Sequence, residues 1–434
     1  MPRSPRFSCS PHPVDALAAD AHAEPVTSLA NAADFFGAAT LQDPYPLYDR
    51  MRRASPVHRI ANSGFYAVCG WAAVTEAVSR VEDFSSNLTA TMVFRDDGTV
   101  TPFDVGAVGS PLHALATADD PVHGDHRKLL LPHLSARRIH DVEQFAETTV
   151  SRLWSEGVVD GRIEWMSAVA NRLPMAVVAR LLGLPADDVD ELIRLGYATT
   201  TLLDGVVTPP QLDAARIAAT ELSGYVMERF AAARSRPAPG LLGDLAARHA
   251  SGELEDLSAL TIMLTLFSAA GESTASLLGS AGWILARRGD VQQRLRNHPE
   301  LLGAFVEETL RYESPFRGHY RHVLRDTSLA GVDLPAGSRL LLMWGAANRD
   351  PEKFDAPNAF RMDRSGAKGH IAFGKGAHFC IGAALARLEA HVVLRMLLQR
   401  TEWIAAEEVG PWLPSILVRR LDRLTLAVDE ASRR

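Results

Sequence analysis

The sequence predicts a mainly α-helical fold with a few small β-sheets, gathered in one large domain. Three observations carry this expectation. Residues 121–290 are patterned almost continuously for helix, with breaks near Gly161, Gly183, Pro209-Pro210 and Pro237–Gly240. Strand signals are short and scattered on either side of that block. No internal repeat and no Gly/Ser linker divides the body, and 434 residues that are 47% hydrophobic and 22% charged can bury a substantial core.

Taken in order, residues 1–33 are rich in Ala, Pro, Ser and His without periodicity and read as a poorly ordered tail, leaving 34–434 as the domain. Tyr48–Arg53 reads as a short helix. Val57–Ala61 and Phe65–Cys69 read as two strands around the turn Asn62-Ser63-Gly64, and Trp71–Val81 as helix. The stretch Ser85–Leu112 has no period long enough for an element, and a loop of that length is usually functional or mobile. After the helical block, strands return at Thr327–Gly331, Arg339–Trp344 and Leu421–Val428.

Composition excludes several function classes. A net charge of −7 with no dense Lys/Arg block argues against nucleic-acid binding. Three cysteines, Cys9, Cys69 and Cys380, are too few for a disulfide framework and lack paired metal spacing, which suits a reducing cytosol. Pro and Ser interrupt the N-terminus where a signal peptide needs an apolar run. The most apolar stretch, Leu257–Ala270, soon meets Glu272, Ser273 and Thr274. The expectation is a cytoplasmic protein without a membrane anchor.

The most informative stretch is Phe373-Gly374-Lys375-Gly376-Ala377-His378-Phe379-Cys380-Ile381-Gly382, which runs into the strong helix former Ala383–Glu389. A cysteine just before a helix N-terminus meets unpaired N–H groups and the positive end of the dipole, both of which favour a thiolate. A thiolate on haem iron promotes O–O cleavage, and the same N–H groups temper the sulfur's donation. Glycines at 374, 376 and 382 permit a tight turn and close approach to a flat macrocycle. A lone cysteine is ordinarily an inert core residue. Here six fixed residues at about 5% usage each give a chance match of order 10⁻⁵ over the chain.

On these residues the chain resembles the cytochrome P-450 superfamily, whose haem-binding signature is Phe-Gly-x-Gly-x-His-x-Cys-x-Gly. The likeness extends over roughly residues 36–430, and Phe84–Met92 and Arg317–His322 are most similar to an orphan mycobacterial branch. The resemblance implies the P-450 fold, with haem b between a long central helix and the cysteine loop, and Cys380 as axial iron ligand beside Phe373, Gly374 and Gly382. It implies that Glu308 and Arg311 join Arg364 in a buried structural network, although many relatives carry Arg where this chain has Ala359. His123, Arg127, Arg321 and His378 match the family's propionate-binding positions; the alternative is a set of unrelated surface cations.

Residues Leu257–Arg287 could form one helix of about thirty residues, apolar almost all round and therefore crossing the interior. Glu272, Ser273 and Thr274 in its middle are costly there without partners or a function. They resemble the family's acid–alcohol relay, which delivers protons to bound oxygen. Aligned on the acid, Ser273 replaces the first Thr; a one-residue shift makes Thr274 the relay alcohol instead, and both hydroxyls could simply bond back to helix carbonyls. Helical spacing from Ser273 places Ala270, Ala269, Leu266, Ile262 and Leu277 on one face. The family's further pocket positions correspond to Met92, Phe94, Phe316, Arg317, His319 and Ile416, so the expected substrate is a small, largely apolar organic molecule.

The implied enzyme inserts one atom of O2 into that substrate, fed by a separate ferredoxin and NAD(P)H-dependent reductase. No Gly-x-Gly-x-x-Gly follows a strand to open a βαβ unit. Lys128, Arg137, Arg138 and Lys375 are expected on the cysteine side, where an acidic ferredoxin could dock. Two rivals stay open: a peroxide-driven peroxygenase, against which the absence of the Arg-Pro pair counts, and a haem-thiolate protein that binds ligands without turnover.

Overall fold

The computed structural model describes residues 31–104, 113–236 and 240–431. Most of the expected tail lies outside those ranges. Residues 31–33 instead open the first helix, Ala32–Phe36, where Asn31 Oδ1 accepts from the Ala33 N–H. The fold is helical through most of its middle, as the patterning predicts, with the short strand Arg162–Glu164 at the break near Gly161. Helix Arg172–Leu182 stops on Gly183, whose φ of 82° is left-handed. Helix Pro209–Ser235 starts with proline at its first position, behind Thr208, whose N–H donates to Gln211 Oε1 at 2.8 Å.

A five-stranded sheet has the order Val57–Arg59, Phe65–Val68, Arg339–Leu342, His319–Val323, Phe84–Ser85. Arg339–Leu342 runs parallel to Phe65–Val68 and the other neighbours are antiparallel. A second sheet orders Thr401–Val409, Leu424–Glu430 and Arg162–Glu164. Strand Thr401–Val409 was not expected. Its exposed Glu402, Trp403, Glu407 and Glu408 face solvent and hide the strand signal.

The stretch expected as a featureless loop is corrected in its first half. Ala90–Phe94 pairs antiparallel with Val100–Asp104 as a hairpin, turned at Gly98 with φ 80°. Pro102 lies inside one strand and obscured the pattern, which is tolerable because only the other strand pairs with it. Residues 105–112 of that stretch lie outside the described ranges.

The long central helix runs over Asp256–Arg287, 32 residues. It is long and apolar enough to cross a membrane by length and composition, yet 61% of its most apolar window is buried inside the protein. Within it Phe267–Gly271 winds as a π turn. Its C-terminal half packs Leu277, Leu278, Ala281 and Ile284 against Ala390, Val393 and Leu397 of helix Ala383–Arg400, in the largest hydrophobic cluster. This packing sets the central helix opposite the cysteine loop.

Candidate active site

The cysteine loop is shaped by two left-handed residues, Gly374 and Gly376, each at φ 69°, a region that side chains rarely adopt. The turn closes where the Cys380 N–H donates to Phe373 O at 2.9 Å. Gly382 caps helix Ala383–Arg400 and its N–H faces the sulfur. Burial pushes the Cys380 thiol up, while the Gly382 N–H, Arg127 and Arg387 pull it down. Cys380 is nevertheless only half-buried by surface. A group wrapped by protein on all sides that still keeps accessible surface faces an internal space. Cys69 is fully buried and its thiol is pushed up to about 12, the state of an inert core cysteine.

Basic groups from three elements converge near that loop. Arg321 is 5% exposed, donating to Tyr320 O at 2.8 Å and to His319 Nδ1 at 3.3 Å. No carboxylate among the described residues lies within salt-bridge distance of it, and burial pulls it down to about 10. Burial pulls His319 down to about 4, helped by the charge of Arg321. His378 is pulled down to about 3, first by burial and then by Arg321 and His123. Its ring centroid lies 4.0 Å from that of His123, Nε2 meets Ser86 Oγ at 2.9 Å, and Nδ1 has no partner. His123 Nδ1 has Asp120 Oδ1 at 3.2 Å, and Arg127 Nη1 donates to Phe379 O at 2.9 Å. Arg321, buried with no carboxylate in reach among the described residues, the partly buried Arg127 and the unpartnered Nδ1 of His378 are donors that a group bearing carboxylates would complete. Haem fits: its two propionates would accept from these groups, and its apolar ring and iron would meet the accessible sulfur of Cys380.

Behind the loop, Arg311 Nε and Nη2 donate to the two oxygens of Glu308 at 2.8 and 2.7 Å, both side chains fully buried. Arg364 Nε reaches the same carboxylate at 3.1 and 3.2 Å. The Ala359 carbonyl accepts from both arginines, at 3.1 Å from Arg311 and 2.8 Å from Arg364. At that position the backbone, not a side chain, completes the network.

The central helix is where expectation and structure diverge most. Ala269 is exposed in mid-helix, and Ala270, Ser273 and Leu266 are half-buried, so this face borders the internal space. Ile262 and Leu277, expected on the same face, are 0% and 1% exposed and belong to the core. For Ile262 the reason is the π turn: more residues per turn rotate everything before Phe267 away from the α-helical face. Leu277 is claimed by the cluster with the cysteine helix.

Ser273 Oγ donates to Ala269 O at 2.5 Å, and Thr274 is buried at 3% exposed. Glu272 is not free. Thr200 Oγ1 donates to its Oε2 at 2.6 Å and Arg420 Nε to its Oε1 at 3.1 Å. The Arg420 guanidinium also stacks 4.6 Å from the Tyr197 ring centroid.

Of the remaining expected pocket residues, Phe94, Phe316 and His319 keep accessible surface. Phe94 stacks on Phe36 with centroids 5.1 Å apart. Met92 and Ile416 are buried in the cluster beneath the hairpin. Arg317 is also buried, and its Nη2 donates to Leu41 O at 2.6 Å, so it ties down the N-terminal segment rather than lining the space.

Four residues escaped sequence reading: Thr200, Arg420, Asp204 and Glu389. The first two partner Glu272 across 72 and 148 residues of chain, a separation no local pattern reveals. Glu389 closes the helix-forming stretch Ala383–Glu389 and is buried, with Oε2 unpartnered. Burial alone pushes its carboxyl up to about 8. The folded state thus keeps a proton that the unfolded chain releases at the ordinary Glu range, so stability falls as pH rises between that range and 8. Glu389→Gln should remove this slope. In urea titrations at stepped pH, the wild type is expected to lose about 1.4 kcal/mol per pH unit relative to the variant.

A family model for Cytochrome P450 matches residues 240–421. Cytochrome P450 144 of Mycobacterium tuberculosis is 63% identical over 414 residues, 95% of either chain. The chain belongs to the cytochrome P450 family. Cytochrome P450 monooxygenase PikC of Streptomyces venezuelae is 32% identical, covering 88% of this chain and 91% of its own. The solved structure of Cytochrome P450 CYP109Q5 from Chondromyces apiculatus superposes with a TM-score of 0.78 at 29% identity, covering 92% of this chain and 98% of that one. As a cytochrome P450 the protein is an oxidoreductase of the monooxygenase kind that uses haem b. The mainly helical fold with small sheets is the P450 fold.

Proposed function

We propose that this P450 inserts one oxygen atom into a largely apolar organic substrate, with Cys380 as the iron ligand and electrons from a separate ferredoxin and NAD(P)H-dependent reductase. The observation that carries the reading is the accessible surface kept by Cys380 and by Ala269 and Ser273 of the central helix, together with Arg321, buried with no carboxylate within salt-bridge distance among the described residues. Bound there, haem supplies the binding and reductive activation of O2.

The chain's own residues then have distinct tasks. Arg321, His319, His378, His123 and Arg127 hold the propionates, and Phe373, Gly374 and Gly382 shape the loop that presents the sulfur. Ala269, Ala270, Leu266, Phe94 and Phe316 offer apolar wall and keep bulk water out. Lys128, Arg137, Arg138 and Lys375 are exposed cations on or near the cysteine side and suit an acidic electron donor.

Ser273 is the relay alcohol in this reading, because its hydroxyl lies on the open face while Thr274 is buried. Its Oγ holds a proton shared with the Ala269 carbonyl and hands it on when that bond turns. Glu272 resupplies it only after leaving Thr200 or Arg420. Ser273→Ala is expected to cut product formed per NAD(P)H by about tenfold, within the range of proton-transfer effects, with the excess appearing as peroxide. Thr274→Val should leave the ratio unchanged. Equal coupling in wild type and Ser273→Ala would remove Ser273 from the relay.

The reading as a whole is tested on the purified protein with surrogate ferredoxin and reductase. A thiolate-type carbon monoxide spectrum and substrate-dependent NAD(P)H oxidation are expected. Turnover with peroxide alone, and none with the reductase chain, would make the protein a peroxygenase instead.

A further inference from the structure

Glu272 is 1% exposed and both its oxygens are occupied, Oε2 by the Thr200 hydroxyl and Oε1 by Arg420 Nε. Ser273, the next residue, donates instead to Ala269 O. Consecutive side chains on an α-helix diverge by about 100°. The acid therefore faces helix Val189–Thr200 and the C-terminal segment, and the alcohol lies on the accessible side of the central helix with Ala269 and Ala270. No hydrogen bond joins the two.

The segment that holds the acid is pinned by its backbone. The Arg419 N–H donates to Pro315 O at 2.8 Å, Arg419 O accepts from the Ser276 hydroxyl on the central helix, and Arg420 O accepts from the Leu413 N–H at 2.9 Å. Both partners of Glu272 also belong to segments bonded to each other. Asp204 O, four residues beyond Thr200, accepts at 3.0 Å from the Ile416 N–H, four residues before Arg420. With the backbone pinned, release of Oε1 falls to the Arg420 side chain. Its guanidinium lies 4.6 Å from the Tyr197 ring centroid, a face along which it can slide and keep a cation–π contact.

The grip is slight for a buried ion pair. Arg311 meets Glu308 through two nitrogens at 2.8 and 2.7 Å and bonds three carbonyls besides. Arg420 meets Glu272 through Nε alone at 3.1 Å, and among the described residues its terminal nitrogens have no hydrogen bond. A two-nitrogen fork fixes geometry where a single contact leaves rotation open.

We propose that Arg420 is a positioning residue for proton delivery: it holds the Glu272 carboxyl away from Ser273, and the acid reaches that hydroxyl only when the guanidinium lets go. The proposal rests on the reading of Ser273 as the relay alcohol. Once released, Glu272 gives a proton to the Ser273 oxygen as that oxygen passes its own on, and water restores the proton to Glu272. Arg420 stays a cation throughout.

The test uses the haem-loaded protein with surrogate ferredoxin and reductase and no organic substrate, and counts peroxide released per NAD(P)H oxidised. Such a branching ratio depends on the competing steps, not on how fast electrons arrive. Arg420→Met should free Oε1 and lower the ratio by about threefold, the equilibrium worth of one modest hydrogen bond. Arg420→Gln, equally uncharged, takes its place if the methionine variant does not fold. Arg420→Lys, which keeps a cation, should bring the ratio back toward wild type. In a Ser273→Ala background Arg420→Met should change nothing, because the acid then has no hydroxyl to serve. A second measurement avoids turnover: in urea, the midpoint of Arg420→Met with Glu272→Gln should fall by less than the two single losses added. An unchanged ratio in Arg420→Met, the same change in Ser273→Ala protein, or additive midpoints overturns the proposal. Ser273→Ala protein with the wild-type ratio overturns the relay reading instead, a separate result.

Discussion

Cys380→Ser protein is expected to lose the thiolate-type carbon monoxide spectrum completely while keeping its fold. The loop is built by backbone: the left-handed glycines at 374 and 376, the Cys380 N–H to Phe373 O bond, and the Gly382 cap. None of these needs sulfur. Serine is close to cysteine in size, and helix Ala383–Arg400 is anchored by Arg387, whose Nε donates to Glu307 Oε1 at 2.5 Å. What serine cannot do at neutral pH is ionise, because an alcohol proton is held far more tightly than a thiol proton. Haem content should fall as well, since the propionate cluster alone must then retain the group, and with it the stabilisation that binding lends the folded state. The measurement is the carbon monoxide difference spectrum and the haem-to-protein ratio, beside the far-ultraviolet circular dichroism of both proteins. An unchanged spectrum in the serine variant would place the iron ligand elsewhere.

The second large effect is expected behind the loop. Arg311→Leu leaves the buried Glu308 carboxylate with Arg364 as its remaining charged partner and strips donors from the carbonyls of Asn348, Pro357 and Ala359. Breaking one partner of a buried pair costs about 3–5 kcal/mol, a large share of the roughly 5–15 kcal/mol that stabilises an ordinary domain. The midpoint of urea unfolding should drop accordingly, and much of the protein should become insoluble on expression. Arg364→Leu is expected to cost less, because Arg311 still holds both oxygens of Glu308. The double variant Glu308→Met with Arg311→Met, which removes both charges of the pair and leaves Arg364 on the carbonyls of Ala356 and Ala359, should recover part of the loss. If Arg311→Leu proved as stable as wild type, the network would contribute nothing to the fold.

Other features follow from the same balance between burial and partners. Glu389, Asp204 and Glu272 are three carboxyls in or near the interior with three different environments. Glu389 leaves its Oε2 without a partner and is pushed up to about 8; Asp204 retains accessible surface and is pushed up to about 7. Glu272 is bonded by Thr200 and Arg420, and any proton it supplies to Ser273 must first break one of those contacts. In the proposed relay, movement of helix Val189–Thr200 or of the C-terminal segment would therefore alter how Glu272 supplies Ser273.

Much of the candidate site was legible because its signals are local. The cysteine loop is ten consecutive residues, and Glu308 and Arg311 are one helical turn apart. The central helix was visible in its length and apolarity, although the π turn was not, since it depends on how Phe267–Gly271 is held by the helices around it. That turn misplaced Ile262. The hairpin Ala90–Phe94 and Val100–Asp104 was hidden by Pro102, and strand Thr401–Val409 by its outward glutamates.

From its own residues the sequence determined the candidate iron-ligating cysteine, the helix behind it, the interior helix bearing an acid and hydroxyls, and the mainly helical architecture. Each of these is written in a few neighbouring positions, where spacing and dihedral preference act directly. Tertiary structure alone decided that Arg420 and Thr200 hold Glu272, that Arg317 turns to the N-terminal segment, that Glu389 is buried with its Oε2 unpartnered, and that the Asp204 carboxyl meets Ser415. Those are questions of which side chains meet and how much water is left between them. Both depend on segments far apart in the chain, which only the folded backbone brings together.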